Sequence, residues 1–188
     1  YLECGSNQLD SLDASQNTAL TWLECSYNDL TSLDVSNNTA LTTLSCDGNQ
    51  LTSLDVSTNT ALTGLGCGDN QLTSLDVSNN TALGLLWCGN NFIASLDVSN
   101  NTALYRLDCY DNQLTSLDVS NNTVLIYLYC PYNLFTSLDV RNGNNTNMNN
   151  FYANNNPNLF CVDVDDVAWS TANWTSIDPQ HYFSEQCP

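Results

Sequence analysis

Three sets of residues carry groups that could do chemistry. Seven cysteines, Cys4, Cys25, Cys46, Cys67, Cys88, Cys109 and Cys130, recur every 21 residues. Aspartates recur on the same period at Asp13, Asp34, Asp55, Asp76, Asp97, Asp118 and Asp139, and Asp163 follows a short insertion. A serine stands two positions before each of the first seven, from Ser11 to Ser137. The third set does not repeat: Trp22, Tyr27, Trp87, Tyr105, Arg106, Tyr110, Tyr127, Tyr129 and Tyr132 fill positions that other repeats give to Thr, Ser, Gly or Asp. Thiolates suit zinc or disulfides, carboxylates suit calcium or acid–base work, and exposed aromatics beside a guanidinium suit ligand recognition.

The cysteine column reads as packing. Free Cys behaves as a small hydrophobe. In-register residues on adjacent parallel strands stand about 4.8 Å apart, wider than the Cβ separation a disulfide prefers. Zinc would need a C-x-x-C pair or histidine, and the column offers neither. Cys161 and Cys187 lie outside the ladder and are expected to bond to each other. That bond closes a loop of about 26 residues and contributes roughly 3 to 4 kcal/mol; it also implies an oxidising compartment.

Stacked carboxylates about 5 Å apart repel by roughly 1 kcal/mol per neighbour in water and up to about 3 kcal/mol at an effective dielectric of 20. Two arrangements could offset this. Each Asp could accept hydrogen bonds from serine hydroxyls and turn N–H groups in D-V-S-x-N. Alternatively, Asp34, Asp55, Asp76, Asp97 and Asp118 could form a row of weak Ca²⁺ sites, although no D-x-D-x-D-G loop is present. Calcium is the one cofactor the chain suggests.

Catalysis finds little support. His181 is the single histidine and sits beside Tyr182 and Phe183, where it is expected to pack. There is no lysine, no glycine-rich phosphate loop and no nucleophile elbow. A glycosidase needs two carboxylates in unlike environments, which a uniform row does not supply. The reading is therefore that the chain is not an enzyme. Twenty acidic residues face two arginines, Arg106 and Arg141, for a net charge of −18. Such a surface repels nucleic acid and anionic membrane. No apolar run is long enough to span a bilayer as a helix, so no membrane insertion is expected.

The elements that place these residues follow from one unit, Leu41 to Ala61, LTTLSCDGNQLTSLDVSTNTA. Its halves read L-x-x-L-x-C-x-x-N-x and L-x-x-L-x-V-x-x-N-x-x, each a leucine-rich signature. Alternation points Leu with Cys or Val inward and the intervening residues outward. One coil cannot bury its apolar face, so coils stack. The spacing predicts an all-β solenoid, a right-handed leucine-rich repeat coil with two short parallel sheets and little helix. The repeated Asn is expected to form a ladder that satisfies backbone groups at the bends. Repeats span residues 1–164, and residues 165–188 form a cap with a short helix near Val167–Trp174 and Trp169, Trp174, Ile177, Tyr182 and Phe183 as its apolar bulk. The chain opens within a repeat, so the edge around Leu2, Cys4 and Leu9 is expected to be raw and prone to end-to-end pairing.

The nested unit resembles the bacterial 21-residue leucine-rich repeat class called IRREKO over nearly all of residues 1–164. The ending CVDVDDVAWSTANWTSIDPQHYFSEQC is similar to the C-terminal cap that follows such repeats in exported proteins of marine Bacteroidetes. The resemblance implies a secreted or bacterial cell-surface binding role and names no ligand. Together these readings give a non-catalytic module that recognises protein or polysaccharide through its aromatic-bearing face. The alternative is a structural solenoid that binds ice or mineral, or adheres with calcium, through its Ser/Asp/Thr columns.

Overall fold

The structure is a computed structural model that describes residues 1–188. Its strands are β1 (Leu2–Glu3), β2 (Trp22–Glu24), β3 (Thr43–Ser45), β4 (Gly64–Gly66), β5 (Leu85–Trp87) and β6 (Arg106–Asp108), followed by β7 (Ser116–Asp118), β8 (Tyr127–Tyr129), β9 (Ser137–Asp139), β10 (Asn150–Tyr152), β11 (Cys161–Asp163) and β12 (Tyr182–Ser184). All pairings are parallel. One sheet has eight strands in the order β1-β2-β3-β4-β5-β6-β8-β10, and a second has four, β12-β11-β9-β7. Every coil therefore gives one strand to the first sheet, as the C-containing half predicts.

Register follows the leucines. Leu23 lies opposite Leu44, Leu44 opposite Leu65, and the series continues through Leu86, Leu107 and Leu128 to Phe151. A slip of one residue would turn this column outward. The leucines, cysteines and valines merge into a single core cluster of 44 buried residues. Cys25, Cys46, Cys67, Cys88, Cys109 and Cys130 are fully buried and unbonded. Burial pushes the thiols of Cys25 and Cys88 up to about 12.

The second sheet is shorter than the repeat predicts. Its strands occur only from Ser116 onward, although the same S-L-D-V pattern runs through the earlier coils. Leu33, Leu54, Leu75 and Leu96 keep 7–8% of their surface, against 3% for Leu117 and 1% for Leu138. The earlier S-L-D segments make no strand ladder with one another, although the Asn bonds between those coils keep the same length, 3.0 Å for Asn59 and Asn80 against 3.1 Å for Asn122.

Asparagine holds the bends, in two unequal ladders. In the first, Asn70 Nδ2 donates to the carbonyls of Cys46, Cys67 and Gly68, and its Oδ1 accepts the N–H of Leu51. Asn28, Asn49, Asn91, Asn112 and Asn133 repeat the pattern. In the second, Asn80 Nδ2 donates to the carbonyls of Val56 and Asn59, while its buried Oδ1 has no protein partner. The residue before each first-ladder Asn takes a left-handed backbone: Tyr27, Gly48, Asp69, Asn90, Asp111 and Tyr132 all have φ between 49° and 62°.

At the C-terminal end, helix α1 (Val167–Asn173) is capped by Asp166, whose carboxylate accepts the N–H of Trp169 at 2.8 Å. Trp174 lies on Phe151 with centroids 4.3 Å apart and donates its Nε1–H to the Met148 carbonyl. Cys161 and Cys187 form the expected disulfide. Arg141 adds a second tie, since its guanidinium meets Asp139 at 2.6 Å and donates to the Glu185 carbonyl. His181 is buried in this cap with its Nδ1 accepting the Asp178 N–H, a packing role as the sequence suggests.

Candidate functional site

The outward residues of the eight-stranded sheet form two rows set by strand register. One runs Trp22, Thr43, Gly64, Leu85, Arg106, Tyr127, Asn150, and the other Glu24, Ser45, Gly66, Trp87, Asp108, Tyr129, Tyr152. Alternation leaves both rows facing away from the core, and Trp22, Trp87, Tyr127 and Tyr129 are more than one-third exposed. Tyr105 precedes its strand and Tyr110 follows it, so both join the same face. Tyr27 and Tyr132 occupy the left-handed position at its margin and are more exposed still. A bulky residue is unfavourable at positive φ, so backbone preference does not account for tyrosine there.

Glycines hold several of these rings. A Cβ on Gly89 would overlap the Tyr110 ring, one on Gly48 would overlap Tyr27, and one on Gly84 would press Tyr105 at 3.0 Å. Each tyrosine ring thus occupies space that a side chain would fill at a glycine in the neighbouring coil. Tyr110 and Tyr152 each meet Tyr129 edge-on, at 5.5 and 5.2 Å. The arrangement brings Trp87, Tyr105, Arg106, Tyr110, Tyr127 and Tyr129 into one cluster, while Trp22 and Tyr27 stand across β3 and β4 from it. Trp22 stacks on Tyr1 at 5.8 Å.

Arg106 lies on this face with its guanidinium held by neighbouring side chains. Its guanidinium lies between Trp87 and Tyr127, 5.4 and 5.7 Å from their ring centroids. Its Nη2 meets the buried carboxylate of Asp108 at 2.7 Å. Asp108 holds the guanidinium above its ordinary value. Arg106 is thus paired with Asp108 and packs against both rings while part of its side chain stays exposed.

Sequence reasoning missed the gap beside this cluster. Coil 64–68 reads G-L-G-C-G, so all three of its outward positions lack side chains. Next to Gly64 and Gly84 lies a depression of about 510 Å³, walled by Trp22 and Thr43 on one side and by Leu85, Trp87 and Tyr105 on the other. It adjoins a second of about 440 Å³ lined by Glu24, Tyr27, Asp47, Asp69, Trp87, Asp108 and Tyr110. Ser45 and Trp87 belong to both. The Asp47 carboxylate lies over Gly66, where any Cβ would collide with it, and its Oδ1 accepts the Gly68 N–H at 2.8 Å. Burial pushes the Asp47 carboxyl up, and the neighbouring charges of Glu24 and Asp69 add to the shift. Three glycines at alternating positions of one coil were the signal that could have revealed the gap.

The aspartate row lies elsewhere, in the second half of each coil. Oδ1 of Asp34, Asp55, Asp76, Asp97 and Asp118 accepts the N–H of the serine two residues on at 2.8 to 2.9 Å. The serine hydroxyl and N–H hold Asp34, Asp55, Asp76 and Asp97 below the usual carboxylate range. This is the Asx arrangement. The calcium expectation for these residues gains no cage, since no group of three Asp, Glu, His or Cys side chains is placed to hold a metal ion.

No family model matches the chain, and no curated protein does. Solved structures do. The functional domain of InlJ from Listeria monocytogenes, described as including a cysteine ladder, is 33% identical with a TM-score of 0.77 over 97% of this chain and 43% of its own. A leucine-rich repeat protein of Leptospira interrogans is 22% identical with a TM-score of 0.67, over 88% of this chain and 42% of its own. One from Bacteroides thetaiotaomicron is 16% identical at the same TM-score, over 88% of this chain and 22% of its own. The chain thus spans less than half the length of these proteins. Its fold is that of the bacterial leucine-rich repeat proteins.

Proposed function

We propose that the chain is a non-catalytic, protein-binding module of a secreted or cell-surface bacterial protein, with the aromatic face of the eight-stranded sheet as its ligand surface. The observation that carries this reading is the cluster around Trp87. Rings that could have packed inward are held outward by register, set against glycines and packed on an arginine already paired with Asp108. Rigid, exposed Trp and Tyr give large contact area at small entropic cost, which is the character of binding hot spots. The Cys161–Cys187 disulfide supports an extracellular setting. The aspartate row supports the surface-binding alternative less well, because its carboxylates are engaged in the turns that follow them.

An array of extracellular proteins and glycans probed with the wild-type chain tests the reading. Trp87→Ala combined with Tyr129→Ala is expected to abolish binding with the melting temperature little changed. Binding that survives the double substitution overturns it. A polysaccharide ligand lost on the same substitution would keep the surface and replace the ligand class.

A further inference from the structure

The gap over coil 64–68 has a shape and a charge pattern that the aromatic cluster alone does not explain. Gly64 and Gly66 stand two residues apart along β4, about 6.7 Å. Beside Gly64 the walls are apolar: Trp22, Leu85, Trp87 and Tyr105. Over Gly66 lies the Asp47 carboxylate, with Oδ1 taken by the Gly68 N–H and Oδ2 bearing no hydrogen bond. Glu24 and Asp69 line the same depression, and the guanidinium nearby is committed to Asp108. A partly desolvated carboxylate among like charges is disfavoured unless a cation joins it. The rings of Tyr27, Trp87 and Tyr110 at the edge of that depression also favour a cation.

We infer that this trench, formed by the absence of side chains at Gly64, Gly66 and Gly68, receives an extended segment of a partner protein carrying an apolar residue and a lysine or arginine two positions apart. Residues i and i+2 of an extended chain project from one face about 6.7 Å apart. That spacing places the apolar side chain between Trp22 and Trp87 and the cation beside Asp47. The net charge of −18 draws a basic partner to this surface. The inference rests on the proposed function and adds the chemistry of the ligand.

The test is selection of a displayed random heptapeptide library on the immobilised chain, with Gly64→Leu, Asp47→Asn and the Trp87→Ala/Tyr129→Ala double variant in parallel. Gly64 suits filling the trench. A Cβ there meets only Thr43 Cγ2 at 3.8 Å, and its flanking positions carry Thr43 and Leu85. Asn at position 47 retains the acceptor for the Gly68 N–H, and thermal melts check that each variant folds. Enriched peptides are expected to carry Lys or Arg two positions from Leu, Ile, Phe or Trp. Their Kd should weaken about tenfold on Gly64→Leu and about fivefold on Asp47→Asn, the losses of one anchor and one partly exposed ion pair. Enriched peptides without the basic residue, or unchanged affinity on Gly64→Leu, overturn the trench. If such peptides still lose binding on the double variant, the aromatic surface stands without the trench; if they do not, both readings fall. A neutral oligosaccharide that binds wild type and is lost on Gly64→Leu assigns the trench to sugar and overturns the peptide.

Discussion

Asn70→Ala is expected to destabilise the chain more than Asn80→Ala, although Asn80 is fully buried and Asn70 keeps 7% of its surface. Removing Asn70 orphans one group outright. The N–H of Leu51, itself fully buried, bonds only to Asn70 Oδ1, and a buried donor left unpaired costs about 1–3 kcal/mol. The three carbonyls each lose a bond but keep another: Cys46 from Asn49, Cys67 from Asn91, and Gly68 from the N–H of Gly48. Those partial losses and the small cavity bring the total to about 3–4 kcal/mol. Asn80 is different. Without it the Val56 carbonyl keeps the N–H of Asn59, and the Asn59 carbonyl keeps the N–H of Leu62. No donor is orphaned, and the unpartnered Oδ1 is removed with the side chain. The expected cost is about 1 kcal/mol. At about 2–4 °C per kcal/mol for a chain of this size, the two variants should melt roughly 4–12 °C apart. Thermal melts followed by far-ultraviolet circular dichroism, with urea midpoints as a second measure, decide the order. Equal melting temperatures, or a lower one for Asn80→Ala, would refute the claim that acceptor satisfaction separates the two ladders.

Asp47→Asn should stabilise the chain at neutral pH and make no difference in acid. A folded-state pKa raised by burial means the ionised form costs stability, a cost that sets in as pH rises from the unfolded value of about 3.9 through the folded one; urea midpoints at pH 3 and pH 7 check the sign. Asp34, Asp55, Asp76 and Asp97 run the other way, since their lowered values give stability present above about pH 4 and lost below it. A pH series of melts should therefore show acid destabilisation despite the relief of net charge. Ellman's reagent at pH 8 should find Cys4, the one partly exposed thiol, in the native chain and the remaining six only after denaturation; fast native reaction of all seven would contradict the packed column. Millimolar Ca²⁺ and chelator should give the same melting temperature, because the Asp row is already engaged by turn N–H groups, and a clear rise with Ca²⁺ would restore the cation reading.

Much of this protein was legible in its sequence, because a 21-residue period leaves little freedom. Leu at fixed spacing dictates which side chains meet on neighbouring coils, so the core, the buried cysteines and the Asn bends follow from periodicity alone. For the aspartates the sequence offered the Asx turn and a calcium row side by side, and the serine N–H bonds of the structure favour the Asx turn. Cys161 and Cys187 could be paired by exclusion, every other cysteine having a place in the ladder. The outward aromatic residues could be named for the same reason, as alternation fixes their side of the strand.

What the sequence left open depended on side chains reaching between coils. Arg106 reads as a free cation until its guanidinium is seen between Trp87 and Tyr127 with Asp108 beneath it. Strand pairing in the second sheet could not be read from the repeat, because identical S-L-D segments pair near the C-terminal end and stay unpaired elsewhere. The trench is the clearest case. A glycine in a repeat looks like a missing contribution, and only the register of β3, β4 and β5 turns three of them into a groove with Asp47 on its floor. Local period settles which way a side chain faces; the spacing between coils settles what it can touch.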